Sequence, residues 1–314
     1  MSLLNLSPAH PRRYGIALVM TSALLWGISG IAAQYLFQQQ GFSPGWLVVI
    51  RLLVSGVILL GMAYRQSRRN FWAIWRSRQD RWNLILFGIL GVLGVQYTYF
   101  TAIHYGNAAT ATVLQYLAPV LVSFYIAVQM RRLPTWKEAI AIITALLGTF
   151  LLVTHGSLDS LSISRPALFW GLISALAMAF YTLNPRRLLA AWGSLIVTGW
   201  AMFIGGIGFS FIHPPWKFQG EWSVTALVAV VFIVLFATVI AFYCFLESLN
   251  YLSASEASLI SCIEPVASAV LAVVWLHVSF GAADWIGTFC IVATVGMLSV
   301  GQDKNVSAAS RNMD

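Results

Sequence analysis

The feature that most constrains this chain is the recurrence of apolar stretches about as long as a membrane is thick. A helix rises about 1.5 Å per residue and needs about 20 apolar residues to cross the hydrocarbon core. Runs of that length, separated by polar or Gly/Pro breaks, lie near residues 14–37, 43–64, 82–104, 107–130, 135–154, 166–184, 193–212, 223–247, 254–277 and 283–301. They predict ten transmembrane helices, because inside lipid every backbone polar group must be satisfied within the protein. Composition agrees: 59% of residues are hydrophobic and 9% charged, against about 25% charged in soluble domains. Such a chain has too little polar surface for a soluble enzyme, a disordered segment or a secreted disulfide scaffold. Cys244, Cys262 and Cys290 stand singly in apolar runs, with no CxxC and no histidine at ligand spacing. The sequence therefore offers no metal site and no cofactor motif.

The net charge of +8 matters less than where the charges fall. The apolar stretch after Arg12 and Arg13 runs from Tyr14 to about Phe37, too long for the core of a cleavable signal, and reads as the first span. With ten spans both termini share a side. Arg12, Arg13, Arg65, Arg68, Arg69, Arg76, Arg78, Arg81, Arg131, Arg132, Lys137, Arg186, Arg187, Lys304 and Arg311 then fall on that side, while Arg165 and Lys217 fall opposite and Arg51 lies inside the second span. Positive-inside bias puts both termini in the cytoplasm of a multi-pass cytoplasmic-membrane protein. The segment from Arg65 to Arg81 interleaves arginines with Phe71, Trp72, Ile74 and Trp75. That pattern fits a short interfacial helix on anionic lipid better than a nucleic-acid surface.

Shifting the chain against itself by 146 positions aligns 97–138 with 243–284 without a gap. Tyr97/Tyr243, Tyr105/Tyr251, Ala108/Ala254, Ala111/Ala257, Pro119/Pro265, Val120/Val266 and Val128/Val274 are identical, and Glu138 meets Asp284. The shift superimposes span 4 on span 9. The expected organisation is a cytoplasmic N-tail (1–13), a first five-helix repeat (14–154), an extracytoplasmic link (155–165), a second five-helix repeat (166–301) and a cytoplasmic C-tail (302–314). A repeat with an odd number of spans enters from the opposite side of the membrane. The fold class expected is thus all-α and polytopic, with two inverted repeats, an arrangement that serves alternating access in secondary transporters.

Charges inside hydrocarbon cost several kcal/mol and ask for a reason. Glu264 lies near the middle of span 9, just before Pro265, which removes a backbone donor and frees a carbonyl in the preceding turn. Ala257, Ser261 and Ser268 share its helical face, a small, hydroxylated stripe suited to protein or a water-filled cavity. Two readings are open: Glu264 is a substrate or proton site, or it is a buried partner of Arg51; one carboxylate can serve both. Gln115, beside Tyr116 in span 4, presents an amide for a neighbouring helix or a solute. Tyr97 and Tyr243, mates under the repeat, either flank a cavity or anchor interfaces. Trp26 lies midway along the first span, away from the interfacial belts where most tryptophans fall.

Ala23-Leu24-Leu25-Trp26-Gly27, Arg51-Leu52-Leu53, Tyr105-Gly106-Asn107-Ala108 with Pro119, Glu264-Pro265-Val266 and Trp285-Ile286-Gly287 occur in that order. Together they resemble the EamA family of the drug/metabolite transporter superfamily over roughly residues 14–301. The resemblance implies spans 1–4 and 6–9 around a central cavity, spans 5 and 10 at the periphery, and transport of small metabolites, amino acids or drugs. Family members often carry a glutamate just after spans 4 and 9; here the matching segments read Met130-Arg131-Arg132 and Leu276-His277-Val278. An intramembrane enzyme is the rival class, but the acids are dispersed and no HExxH or GxSxG occurs. A non-transporting scaffold would leave Glu264 and the polar faces of spans 3 and 4 without a purpose. A secondary transporter, by proton-coupled export, is the expectation, with Glu264, Gln115, Tyr97, Tyr243, Trp26 and Ser261 as substrate-binding or proton-coupling candidates and Arg51 as a charge partner.

Overall fold

In the computed structural model the described residues are 11–66, 68–129, 131, 133, 135–154, 163–252, 257 and 260–311, and no strand occurs among them. In chain order the helices are α1 (Pro11–Gln38), α2 (Pro44–Gln66), α3 (Arg68–Ala73), α4 (Arg78–Tyr105), α5 (Ala108–Gln115), α6 (Ala118–Gln129), α7 (Trp136–Thr154), α8 (Arg165–Leu183), α9 (Arg186–Trp192), α10 (Ser194–Ser210), α11 (Val224–Ser248), α12 (Ile263–Leu276) and α13 (Ala282–Arg311). Six stretches are long and apolar enough to cross a bilayer: α1, α2, α4, α5 with α6, α8 and α11. Shorter apolar helices cover Ala139–Leu152, Ser194–Ser210, Ile263–Leu276 and Ala282–Met297. The chain is an all-helical, multi-pass membrane protein. Most of the 155–165 link, residues 155–162, and residues 1–10 of the N-tail lie outside the described residues, as do 312–314.

Side chains are distributed as lipid requires. Val57, Leu90, Phe124, Leu146 and Val228 are exposed, whereas Arg51, Ser55, Thr112, Ser174, Thr238 and Ser268 are buried. Water-soluble folds do the reverse; here most of these polar groups find partners inside, as Arg51 does on Thr238 and Ser174 on Gln115, while the apolar ones lie on the outer surface of the bundle. The helices pack as α2 on α10, α7 on α13, α4 on α8, and α1 on both α11 and α12. Serine and asparagine oxygens start several of them: Asn107 accepts from the N–H of Thr110 at 2.8 Å, Ser164 from Ala167 at 3.2 Å, and Ser223 from Ala226 at 3.0 Å.

Four runs that the sequence reads as continuous α-helix are locally altered. Within α4, Phe87–Leu93 is π-helical, and within α11, Phe232–Ile240 is π-helical. The fourth run breaks at Tyr116–Leu117 and the ninth at Cys262. Both breaks have the same cause. Pro119 and Pro265 have no N–H, so the carbonyls of Gln115 and Ser261, four residues earlier, lose their α-helical donors. Around the first break the chain tightens to i−3 bonds, Leu117 N–H to Leu114 and Val120 N–H to Leu117. At the other end of the chain, backbone assigned to the C-tail continues α13 as helix to Arg311.

The segment after α2 forms the expected short helix, α3. Phe71 and Ile74 are buried, Trp72 and the arginines 65, 68, 76, 78 and 81 are exposed, and the Trp200 indole N–H donates to the Phe71 carbonyl at 3.2 Å. The aromatic half of this amphipathic stretch thus docks on α10.

Close contacts between α2 and α10 depend on absent side chains. A Cβ placed on Gly56 would lie 2.8 Å from the Phe203 backbone nitrogen. Overpacking of this kind costs about 1–3 kcal/mol. Gly56→Leu is therefore expected to lower the unfolding temperature of the detergent-purified protein by several degrees, while Gly61→Leu, where nothing lies within 4 Å, leaves it unchanged.

Candidate functional site

The interrupted fourth and ninth runs meet at their breaks. Tyr116, in the turn after α5, directs its hydroxyl between two acceptors of the other run, 2.9 Å from the Ser261 carbonyl and 3.0 Å from Glu264 Oε2. The carbonyl that Pro265 deprives of its donor is thus served from another helix. Glu264, partly buried in the first turn of α12, lies beside this bond. α1 passes close behind: a Cβ on Gly27 would stand 3.1 Å from the Glu264 carbonyl, and one on Gly30 would stand 2.8 Å from the Tyr99 hydroxyl. That hydroxyl shares a 2.7 Å hydrogen bond with Thr112. The Ser268 hydroxyl, fully buried and 3.8 Å from the same point over Gly30, has no hydrogen-bond partner.

Arg51 supplies the interior cation. It is buried in α2, its Nε donates to Thr238 Oγ1 at 2.6 Å, and its guanidinium lies 5.2 Å from the Phe100 ring centroid. Thr238 is free to accept because its own hydroxyl donates to the Ile233 carbonyl five residues back, inside the π-helical stretch of α11. Arg51 and Glu264 are within Coulombic reach but do not form an ion pair. Each ionisable group therefore has a neutral partner, Thr238 for Arg51 and Tyr116 for Glu264.

The other residues singled out from sequence are dispersed. Ser261 joins the site through its carbonyl, while its hydroxyl donates to the Ala257 carbonyl at 2.9 Å. Gln115 is a helix-to-helix tie, its amide donating to Ser174 Oγ at 2.7 Å across to α8. Trp26 packs against Phe242 and Phe245 of α11, at 5.5 Å each. Tyr97 belongs to a separate aromatic cluster with Trp170, Phe209 and His213. Tyr243, in α11, is 43% exposed, unlike its repeat mate in that cluster. An apolar groove of about 630 Å³ runs beside the break in the ninth run, lined by Leu24, Ile28, Val266 and Val270. Its walls carry no group that would orient a charged solute.

Comparison with known proteins bears on what this interior serves. The model of the EamA-like transporter family matches residues 13–154 and matches again at 165–300. The chain belongs to the EamA-like transporter family. It is 40% identical over 300 residues to an uncharacterized inner membrane transporter of Salmonella typhimurium, YicL, covering 95% of this chain and 99% of the relative. An uncharacterized transporter of Bacillus subtilis, YwfM, is 23% identical over 303 residues, covering 94% and 97%. A protein of known crystal structure, 19% identical, superposes with a TM-score of 0.63 over 92% of this chain and 97% of its own, which shows a shared fold.

In this EamA-like chain the interior contains residues that the sequence pattern does not single out. Thr238 and Thr112 are single hydroxyls in apolar surroundings, unremarked by any motif. For Thr238 there was a signal: it is the one polar side chain in FIVLFATVI. For Tyr116 the signal was Pro265, since a carbonyl stripped of its donor inside lipid requires one from a neighbouring helix.

Proposed function

We propose that the chain is a ten-span secondary transporter of two inverted five-helix halves with both termini in the cytoplasm; the positive-inside distribution of its arginines and lysines supports the orientation. The chain moves a small metabolite, amino acid or drug-like solute by alternating access, with proton coupling at Glu264. The observation that carries this reading is the presence of two ionisable side chains in the interior, Arg51 and Glu264, each hydrogen-bonded to a neutral group from a different helix at an irregular segment. Buried ionisable groups of this kind mark ion and solute pathways in membranes. The repeat is supported by register. Shifted by 146 positions, the π-helical residues 87–93 fall on 233–239 within the second π-helical segment, and the break at 116–117 falls on 262–263. The arginines between α2 and α4 engage anionic headgroups of the cytoplasmic leaflet.

Purified protein in proteoliposomes, screened with amino acids, amines and drug cations, is expected to show counterflow of at least one solute and to concentrate it when a proton gradient is imposed. No movement across a broad panel, or flux indifferent to the gradient, defeats the transport or the coupling reading respectively. Topology has its own expected result. Cysteines introduced at Tyr105 and Tyr251 should react with an impermeant maleimide from opposite sides of the membrane; labelling from one side defeats the inverted design.

A further inference from the structure

The hydroxyl of Tyr116 has one proton and faces two acceptors, the Ser261 carbonyl at 2.9 Å and the Glu264 carboxyl oxygen at 3.0 Å. How that single proton is shared depends on the state of the carboxyl. When Glu264 is ionised it only accepts, so both neighbours compete for the Tyr116 proton and one goes without. When Glu264 is protonated, its O–H donates to the Tyr116 oxygen and the Tyr116 O–H donates onward to Ser261. Every group is then satisfied. Pro265 is what creates the competition: with any other residue at 265, a backbone N–H would be available to the Ser261 carbonyl. An unmet buried acceptor costs about 1–3 kcal/mol.

From this geometry we infer that Tyr116 is a positioning residue that reads the protonation state of Glu264 and converts it into a change in the contact between the fourth and ninth runs. With the carboxyl protonated, the chain Glu264–Tyr116–Ser261 is complete and ties the two breaks together. Loss of the proton draws the Tyr116 hydroxyl to the carboxylate in one charge-assisted bond, leaves Ser261 without it, and so moves the tie from the backbone at 261 to the side chain at 264. The groups facing Glu264 are few. Tyr116 comes from the α5–α6 turn, Tyr99 from α4, Arg51 from α2 and Cys262 from its own segment. α1, packed against the same turn through Gly27, brings no titratable side chain to the carboxyl. Ionisation of Glu264 also gives Arg51 its counter-charge, so the same event alters both ends of the interior. The inference rests on the proton-coupled reading above, but its test does not need the solute.

The probe is the proton. Full-length protein in lipid vesicles is titrated from acid to alkaline pH while infrared difference spectra follow protonated carboxyls, and spin labels at the exposed positions Phe124 and Val270 follow the distance between α6 and α12. The wild type is expected to show one carboxyl band that Glu264→Gln removes, together with a pH-linked change in label distance. In Tyr116→Phe the band should move to higher wavenumber, because the carboxyl loses its acceptor, and the distance change should vanish. Pro265→Ala keeps both side chains and gives Ser261 a backbone donor, so it should also suppress the distance change while leaving the band near its wild-type position. It serves as the decisive variant if Tyr116→Phe does not fold. A band and a distance change that persist unaltered in Tyr116→Phe, or a distance change undiminished in Pro265→Ala, overturn the inference. Failure of solute coupling is separate: wild-type signals that respond to Tyr116→Phe without any proton-driven flux defeat the coupled-transport reading and leave the hydrogen-bond chain standing.

Discussion

Glu264→Gln, reconstituted at equal protein density, is expected to lower proton-gradient-driven solute flux by about a hundredfold or more and to abolish its pH dependence. Glutamine keeps the size of the side chain and can still hydrogen-bond Tyr116, so the substitution removes charge and a titratable proton with little change of shape. What remains is the Arg51 guanidinium, buried in α2 with Thr238 as its neutral acceptor and no anion facing it. Flux falls because no group remains there to take up and release a proton, and a hundredfold loss is about 2.7 kcal/mol in a rate. Each 1.4 kcal/mol, roughly, is a factor of ten. Flux in this variant that retains the wild-type pH profile would remove Glu264 from the transport cycle.

Arg51→Met is expected to be as severe for a different reason. It strands the carboxylate of Glu264 opposite an apolar side chain, and it leaves Thr238 without its donor. The unfolding temperature in detergent should fall together with transport. The informative comparison is the double variant, Arg51→Met with Glu264→Met, which buries no charge at all. Replacing a whole buried pair by apolar residues is often neutral or stabilising, so the double variant should recover thermal stability to near the wild type while remaining inactive. Recovery of stability without flux separates a transport role from a scaffolding one. If the double variant transports at the wild-type rate, the interior charges serve folding alone.

The all-helical, multi-pass character, with six helical stretches long and apolar enough to cross a bilayer, was legible because the length of hydrophobic segments is dictated by lipid, which tolerates few alternatives. Glu264 and Arg51 were legible for the same reason, as charges in the wrong solvent. What the sequence concealed was interruption. Pro119 and Pro265 announce weakened helices, but a proline in a span is often absorbed as a kink, and whether the chain breaks or bends depends on what the adjacent helix offers. Here the Tyr116 hydroxyl supplies the donor that the Ser261 carbonyl lacks, with Gly27 of α1 close by. The π-helical turns in FGILGVL and FIVLFATVI left no mark in periodicity, since one surplus residue in a stretch apolar all round shifts no polar face. Tyr97, Tyr243 and Gln115 attract notice as polar or repeated residues. Their destinations, an aromatic cluster, an exposed face and a tie to Ser174, were set by helix rotation, which an apolar run does not encode.

The two interrupted runs are matched in backbone but not in chemistry. Glu264, in the first turn of α12, corresponds to Ala118, the first residue of α6, so the carboxyl has no counterpart in the other run. If Glu264 alone carries the proposed coupling, one proton is taken up and released per turnover. The logarithm of the steady-state accumulation ratio for a neutral cargo moved this way is then limited in proportion to a single proton-motive force.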